Sequence, residues 1–198
     1  MKAARPPEGA RPPGAAARSD ARGDTSVATK PTAGQVWQWL EAVPDPEVPA
    51  VSIVDLGIVR DVGEDSGPEG PVTVVTITPT YSGCPAMDMI AEQIESTLRG
   101  HGLERIRLVT RLSPPWTTDW MSAKGRESLR QYGIAPPAAQ SVIAFDPKQR
   151  IRVVDPEIEC PLCGSANVEC ISEFGSTSCK AQYRCRDCRE PFDYFKAL

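Results

Sequence analysis

A single histidine stands among the 198 residues. It is His101, in "RGHGLE" just past an expected helix end, and it reads as a solvated residue facing the helix dipole rather than half of a catalytic dyad. The paired carboxylate–histidine motifs of a di-iron site are missing. So are the fingerprints of flavin and nicotinamide binding. No apolar run approaches the roughly 18 residues of a membrane span. Positive charge is not in excess: 22 Lys and Arg against 26 Asp and Glu give a net charge of −4, which argues against a nucleic-acid partner. Residues 1–30 hold Val27 and alanines but no larger aliphatic or aromatic side chain beyond Met1. Such a stretch cannot bury enough apolar surface to offset its ordering entropy, so a disordered tail is expected over residues 1–31. It also lacks the apolar segment of a signal peptide. Seven cysteines, odd in number and unevenly spread, do not make a secreted disulfide framework. They point to a reduced, cytoplasmic protein. There is no internal repeat.

What remains has clear local structure. "TAGQVWQWLEAV" begins with a Thr32–Gln35 capping box and carries Val36, Leu40 and Val43 on one helical face. "PDPEVP" ends that helix. "SIVDLGIVRDV" contains a strand around Ile58 to Val62, "GEDSGPEG" reads as a turn or short loop, and "VTVVTIT" (Val72 to Thr78) is a second strand in a hairpin with the first. Met87, Ile90, Ala91, Ile94 and Leu98 recur with helical spacing up to Gly100. "RIRLVTRL" alternates as a half-buried strand, and "SAKGRESLRQYG" is a last helix stopped by Gly133. The expected fold is α/β (α+β), a small mixed sheet with packed helices in αββαβα order. It occupies residues 32–137. A proline-punctuated linker follows over 138–157, with one short strand at Ser141 to Phe145. Residues 158–198 are too few to stand on apolar burial alone.

The staple for that last module is legible. "CPLCG" and "CRDC" place Cys160, Cys163, Cys185 and Cys188 as two Cys-x2-Cys knuckles, which complete a tetrahedral four-sulfur zinc site. "NVECISEF" and "SCKAQYRC" form the hairpin between them, turning at Gly175-Ser176. A zinc-ribbon β-hairpin module is expected. Cys170 and Cys179 read either as reduced strand residues behaving as small hydrophobes or as further thiol ligands, even of an iron–sulfur site. A redox role for the knuckles is disfavoured, because oxidation would expel their ion.

The seventh cysteine is isolated. "TYSGCPAMDMI" puts Cys84 at or just before an expected helix start, where free N–H groups and the helix dipole favour a thiolate. It is either a reactive or metal-binding thiol or a buried helix-capping residue. Thr80 supplies a hydroxyl four residues earlier. Asp45, Glu47 and Asp55 lie in "PDPEVPAVSIVDLG", where turn chemistry alone accounts for carboxylates. Trp116 and Trp120 in "PPWTTDW" either pack across a sheet edge or anchor a partner, and packing is the simpler reading.

Taken together, "DPEVPAVSIVDLGIV", "TYSGCP" and "PPWTTDWMS" resemble the domain shared by SufT-like and cytosolic iron–sulfur assembly proteins. The tail "ISEFGSTSCKAQYRCRDCREPFDYFK" narrows the likeness to the PaaD family, accessory subunits encoded with the phenylacetyl-CoA ring epoxidase. The resemblance runs from Val36 to Pro137 and from Cys160 to Leu198. It implies a role in maturing or supporting a multicomponent oxygenase of aerobic phenylacetate catabolism, with a di-iron catalytic subunit and an iron–sulfur reductase as partners. It also implies that Asp45, Glu47, Asp55, Thr80 and Cys84 mark the functional site, and it brings Cys179 into the family's tail pattern as an additional thiol.

The leading expectation is a non-catalytic assembly factor in which Cys84 binds iron or a nascent iron–sulfur cluster transiently. Nearby carboxylates tune the site, and a zinc ribbon docks an epoxidase subunit. A structural adaptor subunit of the same complex, with an inert Cys84, is the alternative, and a thiol–disulfide enzyme is a third. The client subunit and homodimerisation are left open.

Overall fold

Thr32 opens the first element as expected. Its hydroxyl accepts the Gln35 N–H at 3.3 Å, and Gln35 returns its side-chain oxygen to the Thr32 N–H at 2.8 Å. In the computed structural model, which describes residues 30–138 and 158–196, this box starts α1 (Ala33–Leu40), which buries Val36 and Leu40. The expected tail up to residue 29, the expected strand at Ser141–Phe145 and nearly all of the expected linker lie outside the described residues. From Pro31 onward the chain forms one compact unit.

β1 (Val59–Gly67) and β2 (Gly70–Ile77) form an antiparallel hairpin with a register shift between Val59 and Asp61. The strand is longer than expected. Gly63 to Gly67 pair with Val74 to Gly70, so the turn shrinks to Pro68 and Glu69. Several of these β1 residues are exposed and polar, so no alternation announces them, and pairing with β2 alone makes them a strand. α2 (Met87–Gly100) then crosses to β3 (Ile106–Thr110), which lies parallel to β2, in the order β1-β2-β3. Ile90, Ile94 and Leu98 are the buried stripe of α2, and each such side chain stabilises by about 1.5–3 kcal/mol. α3 (Ala123–Gln131) completes the expected helices, and a 3-10 turn (Thr118–Trp120) forms where a plain loop is expected from "SPPWTTDWM".

Two strands are not expected from sequence. β4 (Ile134–Ala135) follows α3 closely, and β7 (Pro191–Phe195) is the last element of the described chain. With β5 (Val168–Ser172) and β6 (Lys180–Cys185) they form a second sheet, ordered β4-β7-β6-β5. β4 pairs in parallel with β7, and β5–β6 and β6–β7 are antiparallel. The ribbon's sheet therefore takes a strand from the first α/β segment. The cores merge as well: Cys179 and Phe195 belong to the main cluster with Val36, Leu56, Ile90 and Trp116. A smaller cluster of Ala135, Ile158, Cys160, Ala181, Cys185, Phe192 and Tyr194 lies beneath the cysteine knuckles.

Two glycines set the close approaches around the carboxylate-bearing loop. Gly57 has φ +72°, and a Cβ there would sit 2.5 Å from the Trp120 carbonyl oxygen. A Cβ on Gly125 would sit 2.8 Å from the Asp55 carbonyl oxygen. The "DLG" turn and the start of α3 are thus in backbone contact. Among the described residues, no helix is long and apolar enough to cross a membrane.

Candidate metal centres

The first centre is the four-cysteine group. Cys160 and Cys163 sit on one turn, closed by Gly164 N–H to Cys160 carbonyl at 2.9 Å. Cys185 and Cys188 sit on the other, closed by Cys185 N–H to Glu190 carbonyl at 3.0 Å. All four Sγ atoms lie within 4.8 Å of one another. Cys160 and Cys188 are 3.8 Å apart, and Cys163 and Cys185 are 3.5 Å apart. A tetrahedron with zinc–sulfur bonds of about 2.3 Å has edges of about 3.8 Å, so the donor set fits zinc. Backbone N–H of Cys188, against some burial and helped by that of Asp187, brings the Cys185 thiol down to about 7. Asp187 ties the two knuckles together by accepting from Ser165 Oγ and from Asn167 Nδ2.

The second candidate is the cavity around Cys84. The thiol is not at the helix terminus itself. α2 begins three residues later, and its cap residue, Ala86, makes no side-chain capping bond. Cys84 sits instead in a tight loop: its N–H donates to the Tyr81 carbonyl at 3.3 Å, and its carbonyl accepts from Met87 at 3.3 Å. It lines a narrow cavity with Asp45, Glu47, Thr80 and Cys179, floored by Leu56, Ile58, Ile90 and Phe195. The free volume is about 10 Å³, roughly room for one water molecule.

Electrostatics at this cavity differ from the sequence expectation. Burial pushes the Cys84 thiol up, and Glu47 and Asp45 push further. The Ala86 N–H and the Tyr81 hydroxyl only partly offset them. A helix dipole cannot prevail over lost solvation and two neighbouring carboxylates when the thiol is set back from the terminus. Burial also raises Cys179, with Glu47 and Asp45 adding to it against a hydrogen bond at 3.0 Å with Thr177. Asp45 is raised by burial, although its Oδ1 accepts the N–H groups of Glu47 at 2.9 Å and Val48 at 2.8 Å. Glu47 is raised by burial and then by Asp45. Lys180, 6 % exposed, lies close enough to counter both carboxylates, and its ammonium pairs with Asp193 at 3.2 Å.

Asp55 is placed elsewhere. It accepts from Ser122 Oγ at 2.6 Å and Ser52 Oγ at 2.9 Å, and pairs with Lys124 at 3.2 Å. Its carbonyl accepts the Ser122 N–H at 2.9 Å. Ser122 is the N-cap of α3, and its hydroxyl accepts the Gly125 N–H. Burial opposes ionisation of Asp55, but the hydrogen bonds from Ser122, Ser52 and Lys124 prevail and lower its pKa. Asp55 lines a different depression, with Lys124 and Ser128, and locks the loop before β1 to α3.

The remaining residues singled out by sequence find structural places. Trp116 is buried, donates from Nε1 to the Leu56 carbonyl at 2.9 Å, and packs against Phe195. The Arg60 guanidinium lies over the Trp120 ring at 3.5 Å. His101 stacks on Trp39 at 4.2 Å. Cys170 is exposed on β5, paired in register with Tyr183 and outside the four-sulfur group. Phe195, which floors the cavity, is not among the residues expected from sequence. Its signal is an aromatic run, "PFDYF", directly after the second knuckle. An open groove of about 570 Å³, lined in part by Leu112, Pro115 and Trp116, shares Thr80 with the cavity and Tyr81 with its rim.

An α/β unit with a cysteine-bearing loop, joined to a four-cysteine ribbon, defines the class as a protein with a metal-binding module. Two family descriptions match separate parts of the chain. "Iron-sulfur cluster assembly protein" matches residues 34–106, and "PaaD zinc beta ribbon domain" matches residues 144–196. The chain is 46% identical over 168 residues, 85% of its length and 94% of the relative, to an Escherichia coli K12 protein named as the D component of the "Putative 1,2-phenylacetyl-CoA epoxidase". It belongs to the PaaD family. Its first segment is also 36% identical to a Porphyromonas gingivalis "Fe-S protein maturation auxiliary factor", over 50% of this chain and 90% of that one. Bacillus subtilis YitW, a protein of the same description, is 36% identical over 46% of this chain and 85% of its own.

Proposed function

We propose that this chain is a non-catalytic accessory protein of a cytoplasmic phenylacetyl-CoA 1,2-epoxidase, and that it matures or loads the iron or iron–sulfur centre of one epoxidase component. The observation that carries the reading is the composition of the narrow cavity: Cys84 lies there with Asp45, Glu47 and Thr80. Burial, with Glu47 and Asp45 adding to it, raises the Cys84 thiol and so favours its protonated form. An incoming cation takes the proton's place on sulfur, and the two carboxylates that disfavour a bare thiolate then favour the bound ion. Iron or a nascent cluster is cargo in this scheme. Thr80 lines both the cavity and the open groove, and Asp55 acts at one remove by holding the loop that carries the carboxylates. Residues 32–137 carry the transfer site. Residues 158–198, held by zinc on Cys160, Cys163, Cys185 and Cys188, offer the docking surface for the di-iron subunit or the iron–sulfur reductase.

A structural adaptor is the second reading, and the near-closure of the cavity favours it. Producing the epoxidase components beside Cys84→Ser separates the two. Under the transfer reading, the epoxidase contains less iron and turns over less phenylacetyl-CoA, while the variant stays folded. Full iron loading beside the serine variant would eliminate transfer through Cys84.

A further inference from the structure

Three consecutive residues of the ribbon meet the rim of the Cys84 cavity. Thr177 lies near enough to Glu47, and Ser178 to Tyr81, to influence their ionisation, and Cys179 lines the cavity itself. The loop between β5 and β6 thereby lies beside the "TYSGCP" loop, and two cysteines from distant parts of the chain face one small space. We propose that Cys179 is the second thiolate of the transfer site, and that the cargo the site accepts is a single divalent thiophilic ion, Fe(II), rather than an assembled cluster. The proposal rests on the role of Cys84 given above and deepens it.

Three features support this assignment. The cavity holds about 10 Å³ of free space, enough for one water-sized occupant and far too little for a cluster. Its polar lining is two thiols, two carboxylates and one hydroxyl, and the nearby ammonium of Lys180, which partly counters both carboxylates, is shared with Asp193. That lining attracts a cation, and the sulfurs select a thiophilic one. Finally, among the described residues only the knuckle cysteines form a group of three or more ligand atoms all within 4.8 Å of one another. The Cys84 set does not converge in this way, so an ion must draw its ligands inward. A less preorganised set holds its ion less tightly, as a site that hands the ion on requires. On binding, two metal–sulfur bonds form, two S–H bonds break, and two protons leave to water, with no change of oxidation state.

The test uses the full chain with zinc in the ribbon, under anaerobic conditions, with Co(II) as a spectroscopic probe and Fe(II) as the cargo. One further metal per chain is expected, with thiolate-to-cobalt charge-transfer absorption and no loss of zinc. Iodoacetamide labelling of the wild-type chain, read peptide by peptide, should slow about tenfold at both Cys84 and Cys179 when Co(II) is present, and not at exposed Cys170. Protection of Cys84 alone overturns the role of Cys179 and leaves that of Cys84 standing, whereas protection of neither overturns both. Cys179→Ser should weaken Co(II) binding at least tenfold while keeping one zinc per chain, and unchanged affinity overturns the proposal. Fe(II) should bind without sulfide. Iron retained only together with stoichiometric sulfide overturns the single-ion cargo.

Discussion

Phe195 is, with Cys179, one of two ribbon side chains buried in the main core among the described residues, and Phe195→Ala tests whether the two segments stand or fall together. The ring is 2 % exposed. It lies 6.1 Å from the Trp116 ring, centroid to centroid, and floors the thiol cavity with Leu56, Ile58 and Ile90. It also ends β7, which pairs with β4 from the α/β segment. Truncating a buried phenylalanine to alanine costs about 3–5 kcal/mol, including the cavity left behind. For a unit of this size, each kcal/mol moves the midpoint by about 2–4 °C, so a drop of roughly 6–20 °C is expected. The assay is thermal unfolding followed by circular dichroism and by calorimetry, with zinc content measured in parallel. A single transition should shift as a whole, and near-ultraviolet signals from Trp116 and from the ribbon should be lost together. Chelation of the ribbon metal should likewise lower the midpoint of the α/β segment, because removing the ion takes away a binding free energy of about 10–16 kcal/mol in typical zinc peptides. Two separate transitions, with only the ribbon's affected, would refute the shared-core argument. So would a loss below about 1 kcal/mol, which is far from the cost of a buried ring.

Asp55→Asn should cost about 1–3 kcal/mol at neutral pH, since charge-assisted hydrogen bonds become weaker neutral ones. The folded pKa of Asp55 lies below its ordinary 3.8. Its contribution is therefore complete above that value and lost as pH falls through the folded pKa, so the asparagine variant should show a flatter acid limb in denaturant midpoints between about pH 5 and 2. Gly125→Ala places a Cβ 2.8 Å from the Asp55 carbonyl oxygen. It should destabilise by about 1–3 kcal/mol through overpacking, despite the roughly 1 kcal/mol by which alanine surpasses glycine in a helix. Cys160→Ser should abolish stoichiometric zinc in metal analysis and lower the midpoint of the whole unit, because the ribbon shares its sheet with β4. Metal affinity at the thiol cavity should rise about 100-fold per pH unit near neutrality, where two thiol protons are displaced per ion. Isothermal titration at three pH values reads that slope, with Asp45, Glu47, Tyr81, Lys180 and Asp193 as the other ionisable groups facing Cys84 and Cys179.

Short-range signals were legible in the sequence because their physics is local. The Thr32–Gln35 box lies within one helical turn, and the buried stripe of α2 repeats every three or four residues. The Cys-x2-Cys turns place two sulfurs side by side, and the four-sulfur group follows once the hairpin closes. The longer arm of β1 was not legible: its Glu64, Asp65 and Ser66 carry no apolar alternation, and only cross-strand pairing with β2 extends it.

The partnership of Asp45, Glu47, Thr80 and Cys84 was implied by resemblance, and the structure brings these four to one cavity. What joined them there, and what else came with them, was decided by the tertiary structure. Asp55 is only eight residues from Glu47, yet its hydrogen bonds turn it toward Ser122 and Lys124. Cys179 is 95 residues from Cys84, yet it lines the same space. Sequence proximity does not report direction when a loop must satisfy its buried polar groups. Nor does spacing report a contact made by docking one sheet's end strand against another segment, as β7 docks on β4. By itself the sequence determined the helices, the hairpin and the zinc knuckles. Packing of the ribbon on the α/β core decided which thiols and carboxylates share a cavity, because burial and charge act through space and not along the chain.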